Sequence, residues 1–339
     1  MRFGYSVVLA CGLSLSASAQ DTGQQETPRS GGDFSNSTLP LVKVPEGVIL
    51  VKGAWASASD SVTPVPEGAS VANEAFNAPY FEMTYQLPAG WTQKYEGPPP
   101  SDTGRYVLAQ LSPAAASNGS ARGTILITAQ DMFFTPLPAR NAAELIHYMS
   151  EHLQADYQVE VPPTETKIAD RVFSVFEYWS PVAQLNWYVF ATEIRCHAVQ
   201  IIMTSRDTKL LKDLIQSMDK MKLPVEASPT GGDGGGTVPV CIPNYTRDEN
   251  MTLRIDPVLT EHRFNPVPVR IIIDMEGNVK HIHFLSAFAD QSKAITDAVV
   301  QWKFKPYRRN GEPVEVETGV LFGRLQGPLS QPAAGASIE

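Results

Sequence analysis

The chain has 339 residues, 43% hydrophobic and 19% charged, with a formal net charge of −9 at pH 7. That much apolar sequence can build real cores, and the length suits two modest domains. The acidity argues against nucleic acid or an anionic lipid surface as partner, because both reward clustered Lys and Arg.

Residues 1–19 read as a secretory signal. Arg2 is the charged start, Val7 to Leu13 the apolar segment, and Ala17-Ser18-Ala19 a small-residue cleavage site. Cleavage after Ala19 would deliver a periplasmic or secreted chain. Lipid attachment at Cys11 and an uncleaved anchor are the rival readings. An anchor needs about 20 strongly apolar residues, and Ser6, Ser14, Ser16 and Ser18 dilute this stretch. No other segment approaches a membrane span. Residues 20–41 are rich in Gly, Ser, Gln and Asn and read as disordered, and residues 42–79 as an irregular extended arm. Once the signal is lost, Cys196 and Cys241 remain. An oxidising compartment permits a disulfide between them, and the sequence leaves that pairing open.

Residues 80–225 read as one α+β unit. Phe81, Met83, Tyr85 and Leu87 alternate before Pro88-Ala89-Gly90-Trp91 breaks the strand. Further strands are expected over 105–111, 123–130, 171–179, 185–192 and 194–205. Helices are expected over Asn141–Asp156, with Leu145, Ile146, Met149 and Leu153 on the inner stripe, and over Asp207–Met221. Strands closed by helices make an antiparallel sheet with helices packed against it. The alternating aromatics, the Leu-Pro-Ala-Gly-Trp opening and this element order resemble the PsbP-like fold. That family mostly binds other macromolecules, and fold does not fix function.

Residues 226–237, EASPTGGDGGGT, read as a linker. A Gly-rich segment of that length spans on the order of 17–20 Å, enough to let the flanking parts reorient. No Gly-Lys-Ser/Thr follows the glycines, so this is not a phosphate loop.

Residues 238–323 read as a small strand-strand-helix-strand domain, followed by a disordered tail over 324–339. A turn over Met275 to Asn278 pairs Val269 with Phe284 and Ile271 with Ile282, giving one wholly apolar face. The same register sets His283 beside Arg270 and His281 beside Ile272 on the other face, which reads as solvent-exposed. Two histidines at that spacing suit zinc, but a cationic neighbour and the lack of further ligands argue against a metal. His147, His152, His197 and His262 have no evident partners. Ile295, Ala298, Val299 and Trp302 follow at helical spacing, with Asp290 as N-cap and Pro306 as the stop.

The Asp-x-x-Gly-x-Val turn at Gly277, the Trp302-Lys303-Phe304-Lys305-Pro306 run, Asn310-Gly311 and the closing Pro-Val-x-Val strand resemble the TonB C-terminal domain. The resemblance implies a binding module of the bacterial cell envelope that takes short peptide segments of a protein partner. It marks Gly277, Trp302, Phe304, Pro306, Asn310 and Gly311 as structural. A TonB energy transducer also has an inner-membrane helix and a long spacer, so transduction or a transport accessory role requires the N-terminus to stay anchored.

If Val314 to Phe322 lies at a sheet edge, it could accept a partner strand. Val314, Glu315, Val316, Glu317, Thr318, Val320 and Phe322 are therefore the candidate partner-binding residues. Glu315 and Glu317 cut the other way, since edge charges block pairing. A second copy of the chain is the alternative partner. No nucleophile elbow, HExxH or phosphate loop occurs. The expectation is a non-catalytic binding protein without cofactor or metal, and an enzyme with an interdomain cleft is the alternative.

Overall fold

The computed structural model describes residues 48–49, 55–57, 65–95, 104–114, 123–135, 137–224, 239–259, 267–285 and 287–323. The expected signal, the segment 20–41, the linker 226–237, the tail 324–339 and His262 lie outside them. Among the described residues the chain is α+β and mostly strand, with three α-helices.

The larger sheet has seven antiparallel strands in the order Trp91–Tyr95, Arg105–Pro113, Gly123–Asp131, His197–Ser205, Leu185–Ile194, Arg171–Ser180 and Gln158–Ile168. It is covered on both faces, which explains continuous apolar runs such as Ile201-Ile202-Met203 in a central strand. On one face, α1 (Ala142–Glu151) lays Leu145, Ile146 and Met149 on Phe176, Val189 and Ile202. On the other, α2 (Thr208–Met218) and a three-stranded sheet (Ser70–Ala72, Ala75–Ala78, Met83–Gln86) bury Leu211, Leu214, Phe76 and Tyr85 against Ile125, Ile127 and Met203. Asn141 and Asp207 cap the helices rather than begin them, accepting from Glu144 N and from Lys209 and Leu210 N. Two strands of the seven-stranded sheet are not expected from the pattern, Trp91–Tyr95 and Gln158–Ile168. The second carries Pro162 and Pro163, which lack ladder donors and are tolerated because this strand is the sheet's edge.

The arm expected to be irregular contains strands. Val48–Ile49 pairs with Ala287–Phe288, and Trp55–Ser57 pairs with His281–His283. The backbone groups on that side of Val279–Phe284 need partners, and the arm supplies them. The expected strand from Phe81 also differs, because Pro79–Phe81 form a 3-10 turn and the strand begins at Met83.

The second sheet has five strands in the order Val240–Cys241, Val316–Phe322, Val267–Ile273, Val279–Phe284 and Trp55–Ser57. Val269 pairs with Phe284 and Ile271 with Ile282, as the pattern requires, but a bulge sets Ile273 opposite Val279. The loop is thus Asp274 to Asn278, whose geometry is held by Asp274 Oδ1 accepting from Glu276 N at 3.0 Å and Asn278 N at 2.7 Å.

α3 (Ala289–Val299) places Asp290 in its first turn rather than at the N-cap. It ends before Pro306 is reached. Gln301 N and Trp302 N donate to Ala298 and Val299 carbonyls, tightening the last turn, and Lys303–Phe304 then pairs with Met251–Leu253. Trp302 is buried against Phe304 and Phe322 and donates from Nε1 to Ile255 O at 2.7 Å. Gly277 has φ 87°, and a Cβ there would lie 2.1 Å from Phe304 O. Phe304 N donates to Gly277 O at 2.8 Å, so the turn and the Trp302–Phe304 run are one locked unit. Asn310 and Gly311, with φ 53° and 89°, turn Arg308–Arg309 back onto Glu312–Pro313.

Candidate functional site

The strand Val316–Phe322 is not the open edge expected from Val314 to Phe322. Val240–Cys241 runs parallel to it and pairs with Val316 and Glu317. Val240 N donates to Glu315 O at 2.7 Å and Ile242 N to Glu317 O at 3.0 Å. Val314 precedes the strand, its N–H donating to Tyr307 O. Val316 and Phe322 sit in the core under α3, with Val320 packed against it. Thr318 is buried and accepts from Tyr245 N at 3.1 Å. Backbone groups alternate sides along a strand, so Gly319 and Leu321 present theirs to the same outer edge as Glu315 and Glu317. Among the described residues no strand pairs with that stretch beyond Glu317.

Glu317 is also not an edge charge held in water. It points to the opposite face and is fully buried. Its Oε2 accepts from Arg195 Nε at 3.1 Å and Nη2 at 2.9 Å. Its Oε1 accepts from Arg270 Nε at 3.1 Å and from the Tyr80 hydroxyl. Arg270 Nη1 reaches Asp131 Oδ2 at 2.6 Å, and its guanidinium lies 4.5 Å over the Phe133 ring. Gly319 leaves room for that ring, since a Cβ there would lie 2.8 Å from Phe133 Cβ. The charges of Asp131, Arg195, Arg270 and Glu317 cancel, which lets the group leave water together. Glu315 binds Lys280 Nζ at 2.7 Å.

The tip of the Leu185–Ile194/His197–Ser205 hairpin builds one half of this cluster. Arg195 and Cys196 are its two turn residues, with φ 48° and 57°. Non-Gly residues held there cost on the order of 1–2 kcal/mol each. What holds them is contact with the other sheet. Arg195 grips Glu317 and stacks 3.9 Å over Tyr80, and Cys196 forms a disulfide with Cys241. The segments flanking the linker are thus fastened together rather than free to reorient.

His281 and His283 are buried on this face, not exposed as the register suggested. Their strand neighbours Ile272 and Arg270 are as expected, but His283 Nε2 meets Glu67 Oε1 at 3.1 Å. His197 is fully enclosed by Tyr80, Phe81 and Tyr106, with Nδ1 2.7 Å from Arg195 O and Nε2 3.7 Å from Asp131 Oδ2.

Burial, then the Arg270 guanidinium, holds His197 well below the usual histidine range. Burial, then Lys280 and Arg195, lowers His281 to about 4. Burial alone would raise Glu317, but Arg195 and Arg270 outweigh it and hold the carboxyl below the ordinary range. Among the described residues no group of three or more His, Cys, Asp or Glu is arranged to hold a metal ion, and no helix is long and apolar enough to cross a membrane.

No family model matches the chain, and no curated protein matches it. Among solved structures it is similar to the solution structure of cyanobacterial PsbP (CyanoP) from Synechocystis sp. PCC 6803, at 11% identity and a TM-score of 0.30, over 42% of this chain and 86% of that one. A likeness this slight carries no argument, and it says nothing of the TonB-like resemblance.

Proposed function

We propose that this is a non-catalytic binding protein of the cell envelope, periplasmic or secreted, whose C-terminal TonB-like domain takes a protein or peptide partner. The N-terminal PsbP-like domain acts as the platform to which that domain is fastened. The observation that carries the reading is the seam itself. Asp131, His197, Arg270 and Glu317 are buried, Arg195 is half-buried, and the five are engaged with one another. Side chains spent in this way join two parts and are not presented to a substrate. The Cys196–Cys241 disulfide supports an oxidising compartment, in keeping with the signal-like start.

The contact surface this favours is the outer edge of the last strand at Gly319–Leu321. Two outward residues offer at most about four backbone hydrogen bonds, each worth roughly 0.5–1.5 kcal/mol net. Association costs about 4–15 kcal/mol, so the partner must also bury side chains beside that edge.

Leu321→Pro removes one outward donor without touching the ladder to Val267–Ile273. The chain lacking residues 1–19 should retain one reproducible envelope protein when used as bait, and the Leu321→Pro chain should lose it. No retained protein, or equal retention by both chains, would count against the reading.

A further inference from the structure

The Cys196–Cys241 disulfide sits beside that edge. Arg195 and Cys196 are successive residues of one tight turn, and they grip two neighbouring strands at the same level. Arg195 holds Glu317 through its carboxylate, and Cys196 holds Cys241, which lies opposite Glu317 in the parallel register. The last strand would keep its place without the disulfide, since it pairs with Val267–Ile273 along its whole length and Glu317 has two guanidinium partners. Val240–Cys241 would not. It is two residues long, and beside the disulfide it is held by the backbone bonds of Val240 and Ile242 to Glu315 and Glu317 and by the partly buried Ile242 side chain against the core. The next anchor is Tyr245, whose N–H and hydroxyl are bound to Thr318 Oγ1 and Lys305 O.

We infer that this disulfide is a redox latch on the binding edge, a reading that rests on the partner-binding function proposed above. In the oxidised chain the short strand covers Glu315 to Glu317. Reduction releases it and lengthens the outward edge from Gly319 and Leu321 to four alternate residues, Glu315, Glu317, Gly319 and Leu321. An extended segment of the partner then takes the place of Val240–Cys241. Cys241 is half-buried and Cys196 fully buried, so a reductant meets the Cys241 sulfur first. The reductant is a dithiol. One thiolate attacks Cys241 Sγ, breaking the S–S bond and releasing Cys196 as a thiolate that takes up a proton. The second thiol of the reductant displaces Cys241 from the mixed disulfide, so two electrons pass to the protein and the reductant leaves as its own disulfide.

Hydrogen exchange of the whole chain, oxidised and after dithiothreitol, tests the latch without any partner. Exchange across 240–242 and at the outer amides of 315–317 should rise at least about ten-fold on reduction, while 267–273 and 279–284 stay protected. The Cys196→Ser/Cys241→Ser chain should match the reduced one. Unchanged exchange at 240–242, or loss of protection through the whole five-stranded sheet, overturns the latch. Partner retention by the same three samples separates this inference from the function beneath it. Retention that rises in the reduced and Ser/Ser chains is the expected result. Equal retention in all three overturns the latch and leaves the binding function standing. A released strand with no partner in any state overturns that function, and with it the gating of a partner.

Discussion

Arg270 donates to Asp131 at 2.6 Å and to Glu317 at 3.1 Å from a position with no exposed surface, so neither carboxylate has water to fall back on. Replacing Arg270 with Met removes one cation and strands buried negative charge. Breaking a buried pair in this way costs about 3–5 kcal/mol. The expected outcome is a fall of that size in urea unfolding at unchanged slope. Lys293→Met, which breaks the exposed pair with Asp297, should cost under about 1 kcal/mol.

Acid should act through the histidines first. His281 titrates near 4 and His197 well below its usual range, whereas in the unfolded chain each takes up a proton near 6.5. Unfolding therefore binds protons between about pH 6.5 and 4, and stability falls as pH drops through that window. Glu317 is held below the ordinary range, so its contribution persists above about pH 4.3 and is lost only below it. Urea midpoints at pH 7, 6 and 5 should decline, and His281→Gln should flatten the decline. A midpoint that does not change over this range would contradict the assignment. None of these side chains announced its role in the sequence. Arg270 on one strand and His281 and His283 on the next share the face opposite the apolar one, and polarity there reads as exposure. Arg270 is buried because Asp131 and Glu317 meet it, and His283 because Glu67 does, and Asp131 and Glu67 arrive from segments more than a hundred residues away.

At the scale of the element, local chemistry was readable. Asn141 and Asp207 stand where the helices begin, and the pairing of Val269 with Phe284 follows from alternation alone. The stop of α3 was misassigned to Pro306, since the chain leaves the helix early to bring Lys303–Phe304 beside Gly277 and Met251–Leu253. The same contact makes a prediction. Gly277→Ala adds a Cβ 2.1 Å from a backbone oxygen at φ 87°, whereas Gly311→Ala, at φ 89°, meets nothing within 4 Å. Both pay the left-handed penalty of about 1–2 kcal/mol. Gly277→Ala should cost clearly more by thermal or urea unfolding, because the Phe304 carbonyl must also move. Equal costs would mean that the turn and the Trp302–Phe304 run are not locked together.

For the whole molecule, the sequence separated two cores and a Gly-rich linker, but not the features that bind them. The arm strands Val48–Ile49 and Trp55–Ser57 are too short to carry a periodic signal. A cysteine pair gives no geometry until Cys196 and Cys241 are brought within 5.6 Å at their Cα atoms. The candidate strand was legible as a strand and wrong as a free edge, because its cover is a two-residue segment that begins just after the linker, too short to carry a pattern.

The most direct test of a partner at Gly319–Leu321 is a photo-reactive side chain placed at Leu321 in the native envelope. A second chain carries the probe at Val182, an exposed hairpin tip 82% accessible and far along the sequence from the edge. One discrete adduct with another protein should form from position 321 and be absent from position 182. No adduct from 321, or the same adducts from both positions, would contradict a partner at that edge.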